Sequence, residues 1–177
     1  MKRVGLVVGH RKSRKGAYCE KYDIWEWDFV KSLVEDVADE VLNNKPVIIF
    51  RDDVSNGYSL LPGKVNDEEV DIAISFHANA NESPLARGTA VLYWHSSSKS
   101  KALAQKFQNA MLDVLGLQND GIMPIYDGDR GSHVLKKTKM PCVLLEPFYL
   151  SNDNDYDVFH NKYEEFVEKL AEIISSL

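Results

Sequence analysis

Apolar residues follow two patterns along the chain: short continuous runs, and longer stretches in which they recur every three or four positions. The runs are typical of buried strands, and the longer spacing is typical of helices with one face on a core. Polar stretches 52–69 and 117–139 are predicted to be loops over one sheet edge, the first with room for one helical turn. The predicted order is strand 3–9, helix 26–43, strand 46–51, strand 70–77, strand 88–94, helix 99–116, strand 141–146 and a closing helix over about 160–176.

Strands that alternate with helices predict an α/β fold, a twisted and mostly parallel sheet flanked by helices on both faces. A length of 177 residues suits one domain, and no repeat or linker divides the chain, so 1–177 is predicted to be a single domain. No apolar run approaches the roughly 18 residues of a membrane helix, and no export signal is recognised at the amino terminus. We therefore expect cytoplasmic synthesis without membrane insertion.

The charge balance argues against nucleic acid as a partner. The formal net charge is -6 and the sequence pI is about 5.4, whereas phosphate binding relies on clustered Lys and Arg. The one basic cluster, at 11–15, is compatible with a solvated loop or with substrate contact. Cys19 and Cys142 lie far apart, and Cys142 is inside an apolar run, so both are expected to be reduced thiols in a monomeric protein.

Three of the apolar runs end in a residue that can bind or activate a ligand: His10, His77 and Glu146. In open α/β sheets, ligands bind at the carboxyl ends of the strands, so these side chains should meet at one edge. A fourth candidate, Glu26, lies four residues before Val30 on the apolar face of the first predicted helix. A carboxylate there is not an ordinary solvated charge.

Two histidines and one carboxylate are a common ligand set for a catalytic zinc ion, and His10, Glu26 and His77 fit that set. Glu146 is then the candidate proton shuttle. Simpler interpretations remain open, since a histidine after a strand is often only a hydrogen-bonded structural group and Glu146 could pair with Lys136. Glu20 is the alternative to Glu26 as the carboxylate ligand, but it precedes the helical pattern and lies in a predicted loop.

Four sequence blocks around these residues resemble the signature blocks of the zinc-dependent N-acetylmuramoyl-L-alanine amidases of the amidase-3 family. They occur in the family's order and span residues 4 to 152. The third and fourth blocks are the most specific. The blocks are GLVVGH, IWEWDFVKSL, ISFHANA and MPCVLLEPFYLSN.

The resemblance implies hydrolysis of the amide between N-acetylmuramic acid and L-alanine in peptidoglycan. By motif position, His10, Glu26 and His77 would hold one Zn²⁺ and Glu146 would be the catalytic acid/base. The chain departs from the family pattern beside the first histidine, where basic residues replace a glycine pair, and after Glu146, where Pro-Phe-Tyr follows. These departures concern substrate contacts more than metal binding.

Further polar residues are candidates for substrate contacts. His133 could contact substrate or stabilise an oxyanion, or be a plain loop histidine. Arg51 could anchor a carboxylate of the stem peptide or pair with a nearby acid, and Asn79 could orient a metal ligand. His95 and His160 are expected to be structural or solvated.

The function that this sequence predicts is a single-domain zinc amidase of peptidoglycan, an endolysin-like enzyme released to the cell wall through a phage-made membrane lesion. One alternative is a zinc hydrolase of a small N-acyl amide. Another is a non-catalytic wall-binding module on the same scaffold, although such a module has no need for an acid/base such as Glu146.

Overall fold

The computed structural model describes residues 2–41, 45–50 and 57–177. The strands are β1 (Val4–Val8), β2 (Tyr18–Cys19), β3 (Ile24–Trp25), β4 (Val47–Phe50), β5 (Ile72–Phe76), β6 (Thr89–Trp94), β7 (Asn119–Ile125) and β8 (Cys142–Glu146). The helices are α1 (Glu26–Val41), α2 (Gly57–Asp67), α3 (Ser98–Leu115), α4 (Ser132–Lys137), α5 (Asp153–Asn161) and α6 (Tyr163–Ser175). Within these ranges, no helix combines the length and the apolar character needed to cross a membrane.

Six strands form the main sheet, in the order β4-β1-β5-β8-β6-β7. Strands β4, β1, β5 and β8 are mutually parallel, β6 pairs antiparallel with β8, and β7 runs parallel to β6. Strands β2 and β3 form a separate antiparallel hairpin before α1. The predicted α/β class with a mostly parallel sheet is therefore confirmed, with one reversal between β8 and β6.

Helices cover both faces of the sheet because the strand side chains alternate between two apolar cores. Leu6, Ile74 and Leu145 belong to the larger core, on the face where α1, α3 and α6 pack. Ala73 and Leu144 belong to the smaller core, which α2 and α4 cover. A strand that is buried on both faces has a continuous run of apolar residues in the sequence. These strands could therefore be predicted from the sequence.

Two stretches predicted to be loops contain regular structure, so that prediction was wrong. Helix α2 has three turns although it contains Pro62 and Gly63, because Leu61 and Val65 fill the smaller core at helical spacing. The second stretch contains β7 and the short helix α4. Strand β7 includes Pro124, which is tolerated because β7 is an edge strand.

The predicted closing helix is two helices instead of one. Helix α5 begins well before the predicted start, after Asn152, whose side chain accepts hydrogen bonds from the next backbone N–H groups of the helix. Lys162 then leaves helical geometry, and α6 begins at Tyr163. The predicted ends of the first helix and of strand 46–51 fall partly outside the described residues.

Two glycines in different backbone conformations give a matched test of this fold. Gly116 ends α3 with φ of 64°, a left-handed conformation that an alanine adopts only with strain of about 1–2 kcal/mol. Gly63 lies inside α2 with open space where a Cβ would be. We expect Gly116→Ala to lower the free energy of unfolding by about that amount, and Gly63→Ala to raise it by about 0.5–1 kcal/mol. Urea unfolding of both variants checks the opposite signs; equal signs would contradict the backbone assignment.

Candidate active site

Glu26, the first residue of α1, is the most buried charged group at the sheet edge. Its side chain is fully buried, and each carboxylate oxygen accepts one backbone hydrogen bond. Ala17 N–H donates to Oε2 and Ala78 N–H donates to Oε1, both at 3.1 Å. Because these donors come from the residue before β2 and from the segment after β5, the carboxylate is fixed between two distant parts of the chain.

His10 and His77 follow β1 and β5 and face this carboxylate. His10 Nε2 lies 2.9 Å from Glu26 Oε2, and His77 Nδ1 lies 3.2 Å from Glu26 Oε1. The two imidazole ring centroids are 5.1 Å apart. His10 has φ of 62°, a left-handed backbone conformation that is uncommon for a residue with a side chain and that occurs at functional sites.

The three side chains have the geometry of a metal site. One ligand atom from each lies within 4.8 Å of the others, and no other such group of His, Cys, Asp or Glu occurs within the described ranges. Two ligands of a tetrahedral zinc ion lie about 3.3 Å apart, given Zn–N and Zn–O bonds of about 2.0–2.1 Å. His10 Nε2 is also buried without an aligned hydrogen-bond partner, as expected of an atom that is aimed at a metal.

The electrostatics of the cluster favour the protonation states that bind metal. Burial opposes ionisation of Glu26, but its interactions with the neighbouring His10 and His77 rings hold the pKa of its carboxyl well below the usual value. Burial lowers the pKa of His77, with the Glu26 carboxylate opposing that change. The site therefore presents an ionised carboxylate and a neutral imidazole, which are the forms that bind a metal ion.

Glu146 ends β8 at the same edge as His77, which follows the neighbouring strand β5. Its side chain is 3% exposed, and Oε2 is buried without a hydrogen-bond partner. Arg130 Nη2 lies 3.8 Å from Oε1. Burial raises the pKa of Glu146 to about 8, an effect that Arg130 opposes and Glu26 reinforces. The predicted alternative partner, Lys136, instead pairs with Asp127 at 2.6 Å.

A cleft of about 250 Å³ opens beside these groups on the α2/α4 face of the sheet. Its walls combine the two histidines, apolar and small side chains, and arginines. The arginines come from two places, the turn after β1 and the segment before α4. The residues that line it are His10, Arg11, Arg14, Tyr58, Ser75, His77, Arg130, Gly131, Val134 and Leu144.

The other candidates from the sequence have different surroundings. Asn79 Oδ1 accepts a hydrogen bond from the backbone N–H of Ala80, at 2.9 Å, within its own loop. His133 Nε2 lies 3.3 Å from the carbonyl oxygen of Ser59, and its ring lies against Tyr58 at the cleft wall. Substrate contact by either residue stays a prediction, and Arg51 lies outside the described residues.

Three other polar residues lie away from the cluster of His10, Glu26 and His77, which is called the metal-type cluster below. Glu20 is exposed in the turn of the β2–β3 hairpin, whereas Glu26 faces the two histidines. His95 follows β6, which runs antiparallel to β8, and stacks on Tyr126. His160 is exposed near the end of α5.

Two residues of the site, Gly16 and Arg130, were not predicted from the sequence. A Cβ on Gly16 would lie 2.5 Å from Glu26 Oε2 and 2.8 Å from His10 Nε2, and its φ is 80°. Only glycine fits between these groups in that conformation. Arg130 stands in a predicted loop, so its approach to Glu146 follows from tertiary packing. Neither residue belongs to an apolar run or to a helical pattern.

A model of the N-acetylmuramoyl-L-alanine amidase family, amidase-3, matches residues 4–176. The chain belongs to this family. The match extends from β1 to the end of α6 and includes all four candidate site residues. The resemblance found in the four sequence blocks is therefore confirmed over nearly the whole chain.

Relatives within the family include wall enzymes that are longer than this chain. The probable cell wall amidase LytH of Staphylococcus aureus is 29% identical over 162 residues, which are 87% of this chain and 50% of LytH. The N-acetylmuramoyl-L-alanine amidase LytC of Bacillus subtilis is 29% identical over 112 residues, 62% of this chain and 22% of LytC. The chain thus spans half or less of the length of these relatives.

Solved structures of the amidase family share the fold. The catalytic domain of CwlV, an N-acetylmuramoyl-L-alanine amidase from Bacillus (Paenibacillus) polymyxa, is 27% identical with a TM-score of 0.81, and the match covers 99% of this chain and 94% of that one. The catalytic domain of the CD27L endolysin, which targets Clostridia difficile, is 25% identical with a TM-score of 0.80, covering 97% and 94%.

Gly16 gives a direct test of the metal-type cluster. We expect Gly16→Ala to lower the affinity for a divalent metal by more than about tenfold, because the new Cβ would displace Glu26 or His10. Gly121→Ala is the matched control, since Gly121 also has a positive φ, 84°, but open space around a Cβ. Calorimetric zinc titration of both variants checks this. Unchanged zinc affinity in Gly16→Ala would contradict the geometry.

The raised pKa of Glu146 predicts a pH dependence of stability in the metal-free protein. A carboxyl whose pKa rises from 4.5 to about 8 on folding is penalised progressively as pH increases between those values. Glu146→Gln removes this titration. From pH 5 to pH 8 in chelator, we expect the wild type to lose up to about 3 kcal/mol of stability relative to Glu146→Gln. Parallel pH profiles of urea unfolding would contradict burial of the carboxyl.

Proposed function

We propose that this chain is a zinc-dependent N-acetylmuramoyl-L-alanine amidase, which hydrolyses the amide between N-acetylmuramic acid and L-alanine in peptidoglycan. The observation that carries the proposal is the His10–Glu26–His77 cluster at the same sheet edge as a buried, unpaired carboxyl oxygen of Glu146. Family membership supports the substrate class, and the family's relatives include enzymes named as wall amidases.

His10, Glu26 and His77 would hold one zinc ion, with His10 Nε2 and His77 Nδ1 as the nitrogen atoms nearest the carboxylate. Bound zinc would polarise the scissile carbonyl and activate water. The backbone N–H groups of Ala17 and Ala78 keep Glu26 from rotating, because each one binds a different carboxylate oxygen. Such outer contacts orient metal ligands and support metal affinity.

Glu146 is suited to move the proton that amide hydrolysis requires. The leaving group is the amino nitrogen of L-alanine, which must gain a proton as the C–N bond breaks. Burial, which raises the pKa of Glu146 to about 8 in the metal-free protein, makes its carboxylate a stronger base, which would take a proton from the attacking water and hold it until it is donated to the leaving nitrogen. Oε2, which has no protein partner, is the atom from which this donation is simplest.

Digestion of purified peptidoglycan tests the function. We would measure new amino groups and reducing sugars released by the zinc-loaded protein, by the chelated protein, and after zinc is restored. The proposal predicts alanine amino termini without reducing sugars, lost on chelation and recovered with zinc. Cleavage of a soluble N-acyl amino acid but not of peptidoglycan would favour the small-amide hydrolase. Binding to peptidoglycan without any cleavage would favour the wall-binding module.

Glu146→Gln separates proton transfer from metal binding. We expect its kcat to fall by about 10²- to 10⁴-fold, the usual contribution of a positioned acid/base, while one zinc per chain is retained. Glu20→Gln is the control, because Glu20 is exposed in the hairpin turn. Turnover is measured on peptidoglycan and zinc by elemental analysis. An unchanged kcat in Glu146→Gln would contradict the assignment of Glu146 as the acid/base.

We also propose that the enzyme is released to the cell wall by a phage and that it is a monomer. The similarity to the CD27L endolysin supports the first of them. Sedimentation of the zinc-loaded protein tests the second, for which a single species of 20.1 kDa is expected.

A further inference from the structure

The turn that follows β1 places two arginines side by side. Arg11 and Arg14 form an antiparallel bridge, with backbone hydrogen bonds of 3.1 and 2.8 Å, and only Lys12 and Ser13 lie between them. Residues directly opposite in such a bridge project to the same side, and like charges at these positions destabilise the pair. Both arginines line the cleft beside His10 and His77. The two guanidinium groups therefore add positive charge to this part of the cleft wall.

A third arginine reaches the cleft from the segment before α4. The carbonyl and side chain of Asp129 hold that segment in place, accepting hydrogen bonds from Ser132 and Tyr126 backbone N–H groups at 3.1 and 2.8 Å. Arg130 is therefore fixed at its backbone, while its side chain is 56% exposed. Its guanidinium is 3.8 Å from Glu146, so it lies next to the proposed reaction centre.

The charged side chains that the structure describes in the cleft wall have the sign opposite to that of the chain. The formal net charge is -6, yet every permanently charged side chain among the described residues that line the cleft is an arginine. Within the described ranges, Arg14 makes no ion pair with a carboxylate of the protein. A cleft lined by one sign of charge concentrates ligands of the opposite sign.

The chemistry of peptidoglycan decides which part of the substrate such a cleft binds. The lactyl carboxyl of muramic acid is consumed in the scissile amide, so the sugar side has no carboxylate next to that bond. The stem peptide has carboxylates, and the first one beyond L-alanine belongs to its second residue, a glutamate that is either free or amidated. The cleft, with a volume of about 250 Å³, has room for only part of such a substrate.

We propose that Arg14 and Arg130 form a carboxylate subsite for the stem peptide, so that the cleft binds the peptide side of the substrate and selects stems with a free carboxylate on the second residue. The guanidinium group suits this ligand because its planar set of N–H donors matches a carboxylate. This inference rests on the proposed amidase function and adds the direction in which the substrate lies across the metal-type cluster.

The test compares two soluble substrates that differ only in the second residue of the stem. Both are muramoyl tripeptides, one with the free α-carboxylate of the second-residue glutamate and one with its α-amide. We expect kcat/KM of the wild type to be about 10- to 100-fold higher for the free acid, the range for a hydrogen-bonded charge. In Arg14→Gln and Arg130→Gln this ratio falls towards one, whereas Lys12→Gln keeps the wild-type ratio.

Binding of the released peptide tests the same carboxylate subsite without turnover. The released tripeptide with the free carboxylate should bind the wild type more tightly than its amide, by calorimetry, and Arg14→Gln should remove the difference. Active enzyme with equal kcat/KM on both substrates would overturn the subsite while leaving the amidase function intact. An equal loss on both substrates in Arg14→Gln would also overturn it, since that result indicates general attraction of anions. Hydrolysis of neither substrate, nor of peptidoglycan, would refute the amidase function itself.

Discussion

The buried carboxylate of Glu26 is the group on which the arrangement of the site depends. A carboxylate cannot lose its water without replacement partners, and here each oxygen has one backbone N–H and one imidazole nearby. These partners come from the segment after β1, the residue before β2 and the segment after β5. Satisfying one charge therefore brings three separate parts of the chain to one point.

The sheet delivers the remaining groups to that point. Parallel strands β1, β5 and β8 place His10, His77 and Glu146 at a common edge, as the carboxyl ends of parallel strands must. The reversal at β6 sends His95 to the opposite edge and leaves the active edge to the parallel strands. The environment then separates the two acids: partners lower the pKa of Glu26, and burial without enough partners raises that of Glu146. One can bind metal while the other can hold a proton.

The sequence could predict the parts of this site that lie on periodic elements. His10, His77 and Glu146 end buried strands, and Glu26 begins a helix with a clear apolar face, so their positions followed from hydrophobic pattern. Gly16 and Arg130 could not be found in this way. Gly16 is required by the space between Glu26 and His10, which exists only in the folded chain. Arg130 reaches Glu146 because α4 packs on β8, and α4 has too few apolar residues to be predicted.

Two elements of the fold, β7 and α5, have sequences that do not favour the structure they adopt. Edge strand β7 contains glycine and proline, since its outer side needs no ladder of hydrogen bonds, and so it lacks the composition of a central strand. Helix α5 is rich in Asn and Asp, and it is stabilised by capping at Asn152 and by burial of Tyr156 and Phe159. The edge position of β7 and the cap and buried aromatic side chains of α5 thus outweigh intrinsic preference.

The proposed chemistry requires that Glu26, His10 and His77 together hold zinc. X-ray absorption at the zinc edge, on protein loaded with one equivalent of zinc, measures the ligands of the ion. We expect a four-coordinate ion with two imidazole nitrogens and oxygen ligands at about 2.0–2.1 Å, and the loss of one imidazole in His77→Ala. A shell that contains sulfur, or a wild-type shell that is unchanged in His77→Ala, would contradict it.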